Sequence, residues 1–211
     1  MRDIDIGEGG DQLSQNIVFE KGTVSALARH LYQLRTGQEF EREDELHSMR
    51  EMIEKYSHFT HHFPTIARSP ETEVVMVTGA TGNLGAFIVS ELLKRPTVSE
   101  VWAIVRAPGQ AAAGARLYKA LADRSIVLTE TEAAKLHAVP GDMSQPNLGL
   151  KDHDLQHLVS CLTCVIHSAW AVNFNLGVRS FEQQHIRGTY NLINICLRSH
   201  LPSPARFFFC S

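Results

Sequence analysis

Three regularly spaced glycines are the residues of this sequence that point most directly to chemistry. Gly79, Gly82 and Gly85 follow the apolar run Val74–Val77 and open a helix pattern. In such a strand–turn–helix setting the first glycine makes a sharp turn, the second lets the backbone approach a pyrophosphate, and the third lets the helix pack against the strand. The helix N-terminus then offers N–H groups and a positive dipole end to phosphate. The pattern predicts a dinucleotide site, with a glycine-rich turn that binds no ligand as the alternative; the candidate residues are Gly79, Thr81, Gly82, Asn83, Leu84 and Gly85.

The end of the second strand pattern indicates which dinucleotide binds. Many NAD enzymes place an Asp or Glu there, on the ribose 2′-hydroxyl. Here the strand ends in Val105 and Arg106, without a carboxylate. An arginine suits the 2′-phosphate of NADPH, and Arg116 is a second candidate contact. NADPH is therefore the expected cofactor, although Arg106 as an exposed strand-end cation and Arg116 as an ordinary surface residue remain alternatives.

Two later strand ends supply further candidate contacts to the cofactor. Asp142 and Met143 follow the third strand pattern, where they could lie against the edge of an adenine ring. The alternative is that they form an ordinary turn. Ser168 and Ala169 follow the fourth, where small residues let the backbone lie against the cofactor. We expect His167, just before them, to be a packed residue and not a catalytic one.

Redox and metal chemistry have weaker support. Cys161 and Cys164 have the spacing of a redox pair, but no helix N-terminal setting accompanies them, so we expect buried thiols. The histidines of the stretch Ser57–Pro70 have no cysteine or carboxylate at ligand spacing. We expect no metal site.

The elements that must position these residues alternate between strands and helices. The strand patterns are apolar along their whole length, which is typical of a parallel sheet covered on both faces. Right-handed crossovers then give the strand order 3-2-1-4-5. The sequence predicts an α/β, Rossmann-type doubly wound parallel sheet, truncated after strand five, with strands at 74–77, 98–105, 137–139, 162–167 and 206–210.

The region before the sheet has a different sequence pattern. Helical spacing predicts a short helix after a Thr23 N-cap, preceded by an extended run at Asn16–Phe19. The stretch Ser57–Pro70 has no period and is predicted to be a linker. Between them an amphipathic helix is predicted from an apolar stripe at Leu46, Met49, Ile53 and Tyr56.

Composition narrows the classes of function further. The 211 residues are 44% hydrophobic, which suffices for a core, and their net charge of −3 offers no basic surface to nucleic acid. The longest apolar runs are too short to span a bilayer. Four cysteines without a secretory signal favour a reducing compartment. We expect a cytoplasmic protein that binds neither nucleic acid nor membrane.

Taken together, these motifs resemble those of the extended short-chain dehydrogenase/reductase superfamily. More narrowly, residues 71–211 resemble the thioester reductase domain of fungal adenylating reductases, which include aminoadipate reductases and other enzymes like non-ribosomal peptide synthetases. Residues 1–37 resemble the last loop and helix of a phosphopantetheine carrier domain, which precedes the reductase in that family, and 38–70 would then be a helical linker. The resemblance is carried by Val75–Gly85, Val105–Ala107, Gly141-Asp142, Val165–Phe174 and Ile186–Leu192.

The resemblance implies that NADPH reduces an acyl thioester on a carrier arm to an aldehyde or an alcohol. In the family a Ser or Thr and a Tyr hydrogen-bond the thioester carbonyl, and a Lys four positions after the Tyr lowers its pKa. Ser211 is at most adjacent to that catalytic Ser or Thr, no Tyr here is followed by Lys at that spacing, and the carrier's modified serine has no counterpart. We therefore expect a fragment without turnover of its own. A non-catalytic dinucleotide-binding or interaction module, or an NAD(P)-dependent epimerase or reductase of the same superfamily, remains an alternative.

Overall fold

A five-stranded parallel sheet organises most of the chain. The computed structural model describes residues 17–21, 23–36, 45–170 and 178–210. Every neighbouring pair of strands is parallel, and the order is β3-β2-β1-β4-β5, which confirms the predicted order. The strands are β1 (Glu73–Thr78), β2 (Val98–Val105), β3 (Leu136–Pro140), β4 (Cys164–His167) and β5 (Arg206–Phe209).

The helices differ from the sequence patterns at four places. Residues 17–19 of the run predicted to be extended are helical, a helix between β3 and β4 and a short helix at Val178–Phe181 were not predicted, and a π-helical turn precedes the last long helix. No helix among the described residues has both the length and the apolar character needed to cross a membrane. The helices are α1 (Ile17–Glu20), α2 (Val24–Thr36), α3 (Glu45–Tyr56), α4 (Asn83–Leu93), α5 (Gln110–Ala122), α6 (Glu130–Ala134), α7 (Asp152–Cys161), α8 (Val178–Phe181), the π-helical turn Glu182–Ile186 and α9 (Arg187–Leu197).

Alternate residues of the central strand enter two separate apolar layers. Val75 and Val77 of β1 are buried with residues of α4 and α5 on one face of the sheet. Val74 and Met76 are buried with residues of α7 and α9 on the other face. Because successive side chains of a strand point to opposite faces, a strand covered on both sides must be apolar throughout. The two layers together cover both faces of the sheet beneath its carboxyl edge.

The described residues fall into two compact units, and the smaller contains residues before His58 together with 178–183. In it, the Ala26 N–H donates to Thr23 Oγ1 at 3.1 Å, so the predicted N-cap of α2 is confirmed. Helix α3 is also confirmed, but its apolar stripe is not its buried face. Met49 is 41% exposed and Ile53 is 68% exposed, whereas Met52 is 5% exposed.

A segment of the larger unit, residues 58–66, lies along α9. Tyr190 Oη donates to the His58 carbonyl at 2.8 Å, and the Thr60 N–H donates to Asn194 Oδ1 at 3.1 Å. The Thr65 and Ile66 N–H groups both donate to the His200 carbonyl. This stretch of the predicted 38–70 linker is therefore held to the sheet's helical layer by hydrogen bonds.

Candidate functional site

Most of the predicted cofactor residues meet in one cleft at the carboxyl edge of the sheet. Strand register explains the meeting: Thr78 pairs with Ile104 of β2 on one side and with His167 of β4 on the other. Ligands of doubly wound sheets bind at this edge, where the strand order reverses. The cleft has a volume of about 410 Å³ and is lined by Thr78, Gly79, Thr81, Gly82, Ile104, Val105, Arg106, Arg116, Gly141, Asp142, Met143, Ser168, Ala169, Trp170, Gln184 and His185.

The glycine loop has the geometry that each predicted role requires. Gly79 has a φ of +73°, and a Cβ there would lie 2.7 Å from the backbone carbon and the Oγ of Ser168. Gly82 is the N-cap of α4 and has extended backbone, with no side-chain hydrogen bond capping the helix. A Cβ on Gly85 would overlap the Gly79 carbonyl oxygen. The loop therefore forms a sharp turn below a helix N-terminus, an arrangement suited to phosphate.

The end of β4 closes the cleft beside this loop. The Ser168 hydroxyl donates to the Thr78 carbonyl at 2.8 Å, and the Ser168 N–H donates to the same oxygen at 3.3 Å. These two bonds join the ends of β1 and β4, so Ser168 and Ala169 are fixed within the cleft wall. The structure thus places both predicted small residues in the cleft.

Two arginines lie together on the β2 side of the cleft. Arg116 of α5 donates from Nη1 to the Arg106 carbonyl at 2.6 Å, which holds the strand end in place. Both side chains are exposed, and both line the cleft. Guanidinium groups bind phosphate through charge-assisted hydrogen bonds, so this side of the cleft suits an anion.

Asp142 is held in a network that shapes the β3 side of the cleft. Its carboxylate accepts from the Ser144 hydroxyl at 2.7 Å and from the Ser144 N–H at 3.0 Å. The Ser144 hydroxyl is the main cause of a lowered pKa for Asp142, although partial burial opposes it. Asn191 of α9 donates to the Met143 carbonyl at 2.8 Å. The loop after β3 is therefore fixed from α9.

Three of the predicted cofactor residues are not among those lining the cleft. Asn83 accepts a 3.3 Å hydrogen bond from Arg124 Nε, Leu84 is 56% exposed, and Gly85 is buried under the loop. Ser211 lies outside the described residues. Conversely, Trp170, Gln184 and His185 line the cleft and were not predicted. The last two lie in or beside the π-helical turn, for which the sequence gives no periodic signal.

The cysteines and histidines outside the cleft were the other candidates for chemistry. Cys161 and Cys164 are free thiols, and burial raises the pKa of each to about 11. Cys164 is buried as expected, whereas Cys161 is only partly buried. Among the described residues no group of three or more His, Cys, Asp or Glu side chains could hold a metal ion. A second cavity of about 350 Å³, beside Trp102 and His137, contains none of the predicted cofactor residues.

His167 at the end of β4 is fully buried, in keeping with the expectation of a packed residue. Its Nδ1 lies 2.6 Å from Thr78 Oγ1, and its Nε2 has no hydrogen-bond partner among the described residues. Burial, with a smaller contribution from His185, lowers the pKa of His167 to about 4. His167 is therefore neutral at pH 7.

We expect this buried imidazole to make the fold acid-sensitive. The unfolded chain takes up a proton at this residue near pH 6.5, whereas the folded chain does so only near pH 4, so acid favours unfolding between these values. Urea denaturation at pH 7.0 and pH 4.5 should show that the parent chain loses about 2 kcal/mol more free energy of unfolding than His167→Asn does. The exposed control His153→Gln should lose as much as the parent. Equal losses in the parent and His167→Asn would contradict the assignment.

Comparisons with known proteins agree with this geometry. A family model for an NAD-binding domain, described as male sterility protein, matches residues 77–211. Adenylate-forming reductase Nps10 of Heterobasidion annosum is 31% identical over 201 residues, covering 93% of this chain and 18% of that protein. Adenylate-forming reductase Nps9 of Serpula lacrymans var. lacrymans is 36% identical over 138 residues, covering 65% of this chain and 12% of that protein. The chain thus spans less than a fifth of these relatives.

A solved structure shows the same architecture. The terminal R domain from the myxalamid PKS-NRPS biosynthetic pathway is 25% identical with a TM-score of 0.62, over 77% of this chain and 41% of that one. The family match covers well over half of the chain, and it includes the glycine loop, both arginines and the ends of β3 and β4. The chain therefore belongs to this NAD-binding family, and its predicted place among the reductase domains of the extended short-chain dehydrogenase/reductase superfamily is confirmed.

Proposed function

We propose that this chain is the NADPH-binding portion of a reductase that converts an acyl thioester on a phosphopantetheine carrier domain to an aldehyde or an alcohol. The observation that carries the proposal is the cleft, which combines the glycine turn at Gly79 with Arg106 and Arg116. A Cβ at Gly79 would fill the space beside Ser168, so the residues present fit a cofactor lying close to the backbone.

The preference for NADPH over NADH is part of this proposal. The end of β2 presents Arg106 to the cleft, and no carboxylate follows that strand to accept a ribose 2′-hydroxyl. The Asp142 carboxylate lies after β3 and is engaged by Ser144. A 2′-phosphate would instead find two guanidinium groups, which supports NADPH.

The carrier partner is supported by the extent of the sequence match. The match to Nps10 covers 93% of the chain, so it extends upstream of the sheet into the region that resembles a carrier domain. We propose residues 1–37 as the end of that carrier domain and 38–70 as the linker. Free cysteines whose pKa values are raised by burial fit a reducing compartment, so we propose a cytoplasmic reductase.

The chain's own residues bind and orient the cofactor in this proposal. A bound nicotinamide supplies the hydride, while the glycine loop, the arginines and the ends of β3 and β4 hold the dinucleotide. Polarising the thioester carbonyl needs donors aimed at its oxygen. The sequence contains no Tyr-x-x-x-Lys element, so we propose that these 211 residues do not turn over a thioester by themselves. That same observation favours a second candidate, a dinucleotide-binding module without catalysis, whereas the matches to adenylate-forming reductases support a reductase over a sugar epimerase.

Two measurements test the proposal together. Fluorescence titration of the 211-residue chain should show tighter binding of NADPH than of NADH. The comparison protein is a longer adenylate-forming reductase that contains a Tyr-x-x-x-Lys element. With an acyl-pantetheine thioester, this chain should oxidise NADPH at least about 100-fold more slowly than that longer protein, because loss of a single oxyanion donor already lowers the rate by about 10²–10³. Failure to bind either nucleotide would overturn the cofactor assignment, and turnover within tenfold of the longer protein would place the catalytic residues inside this chain. No turnover by the longer protein would favour the non-catalytic module.

A further inference from the structure

The π-helical turn Glu182–Ile186 brings two neighbouring side chains to opposite sides of the cleft. The Gln184 side chain hydrogen-bonds Asp142 after β3, and His185 hydrogen-bonds the backbone of Ala169 after β4. The His185 ring also packs on Trp170, with ring centroids 4.8 Å apart. Single π-helical turns are frequent at functional sites. Gln184 and His185 are thus part of the cleft wall.

The charged groups that face His185 include more cations than carboxylates. Arg106 after β2, Arg116 of α5, Asp142 after β3 and His167 of β4 are the titratable or charged groups that face it from the surrounding elements. Asp142 is the one carboxylate among these groups, and Ser144, Gln145 and Gln184 already hydrogen-bond it. An anion in the cleft would therefore meet cations on the β2 side and no competing free carboxylate among the described residues.

The pKa of His185 reflects this environment. Burial lowers the pKa of His185, and the positive charge of Arg106 lowers it further, although the hydrogen bond to Ala169 opposes both. A phosphate between Arg106 and His185 would offset the effect of Arg106 on the pKa of His185, because each cation would then face an opposite charge.

We propose that His185 is a further cofactor-binding residue, whose imidazole binds a phosphate group of the dinucleotide together with Arg106 and takes up a proton as the cofactor binds. The inference rests on the proposed function, because it requires a dinucleotide in this cleft. Because binding and protonation are linked, a ligand that binds the protonated form of His185 more tightly raises the pKa of His185. The rise equals the logarithm of the ratio of the two affinities. A rise of about one unit corresponds to a tenfold tighter complex with the protonated protein.

The test is to follow the protonation of His185 directly. NADP⁺ is the probe, because it is stable in acid. Proton NMR of the full chain, titrated from pH 5 to pH 8 with and without saturating NADP⁺, resolves the imidazole signals of its eleven histidines. The His185 signal is assigned by its loss in His185→Gln and independently by backbone-linked assignment in the parent, so the result does not depend on the variant folding. We expect the pKa of His185 to rise by about one unit on binding.

Affinity measurements supply the second readout. NADP⁺ should bind His185→Gln more weakly than the parent at pH 5.5, by up to about tenfold, and the difference should become smaller at pH 8. His153→Gln, which changes a histidine on α7 that does not line the cleft, should match the parent at both values. An unmoved His185 pKa, or an affinity ratio that does not change with pH, would overturn this inference while leaving cofactor binding intact. No binding by the parent would overturn the proposed function as well.

Discussion

Replacing Gly85 by alanine should abolish cofactor binding and lower the free energy of unfolding by about 2–3 kcal/mol, the cost of forcing an extra carbon into a packed site. The new Cβ would overlap the Gly79 carbonyl oxygen and would lie 2.6 Å from the Gly79 carbonyl carbon and 2.9 Å from Ala80 Cα. All three are backbone atoms, so no side chain can rotate away. Helix α4 must therefore move off the loop, and its N-terminus then loses its position over the phosphate site.

The matched control for this substitution is Gly114→Ala. Gly114 lies inside α5, where a Cβ would meet nothing within 4 Å. Alanine there should raise the free energy of unfolding by about 0.5–1 kcal/mol, because alanine has the higher helix propensity, and should leave binding unchanged. Urea denaturation and NADPH titration give both quantities. Binding by Gly85→Ala within threefold of the parent would show that α4 does not need this close contact.

Exchanging Arg106 for glutamate should reverse the choice of nicotinamide cofactor. Charge-assisted hydrogen bonds contribute about 1.5–3 kcal/mol each. Losing one to the 2′-phosphate, and placing a carboxylate near it, should weaken NADPH binding by about 100-fold. NADH has no 2′-phosphate, and the new carboxylate can accept a hydrogen bond from its ribose hydroxyl. NADH affinity should therefore stay within about threefold of the parent value or improve. Titration of both nucleotides into parent and variant measures the ratio.

Arg95→Glu is the control for net charge. Arg95 is exposed beyond the C-terminal end of α4, the end of that helix opposite the glycine loop, and it does not line the cleft. This variant changes the charge by the same amount, so long-range repulsion of NADPH is common to both. If the two variants weaken NADPH binding equally, Arg106 makes no specific contact with the 2′-phosphate.

The sheet and most of the cleft could be predicted from the sequence because the signals are local. Strands buried on both faces must be apolar throughout, so Val74–Val77 and Val98–Val105 stand out as continuous runs. Gly79 is tied to a turn with positive φ and Gly85 to a close backbone contact, and other residues fit neither position. The parallel order then places the residues after each strand at one edge, which is why Arg106, Asp142 and Ser168 meet although they are far apart in the chain.

Where a local pattern was ambiguous, tertiary contacts decided the outcome. Helix α7 was not predicted, because its first turn is charged and its few apolar residues form only a weak helical pattern. Those apolar residues are buried against the sheet. Helix α3 buries Ser48 and Met52 and not its apolar stripe, because Arg179 of α8 donates to Ser48 Oγ on that face. Helical spacing identifies a helix, but the neighbour that packs against it selects the buried face.

The sequence by itself determined that this chain forms a parallel sheet with a glycine turn at a helix N-terminus and an arginine where NAD enzymes have a carboxylate. It did so because backbone sterics and strand burial restrict residue types position by position. Only the tertiary structure placed Gln184 and His185 in the cleft, held Asn83 to Arg124 outside it, and fixed the loop after β3 from Asn191. These positions depend on contacts between segments distant in the chain, and no spacing of neighbouring residues encodes such contacts.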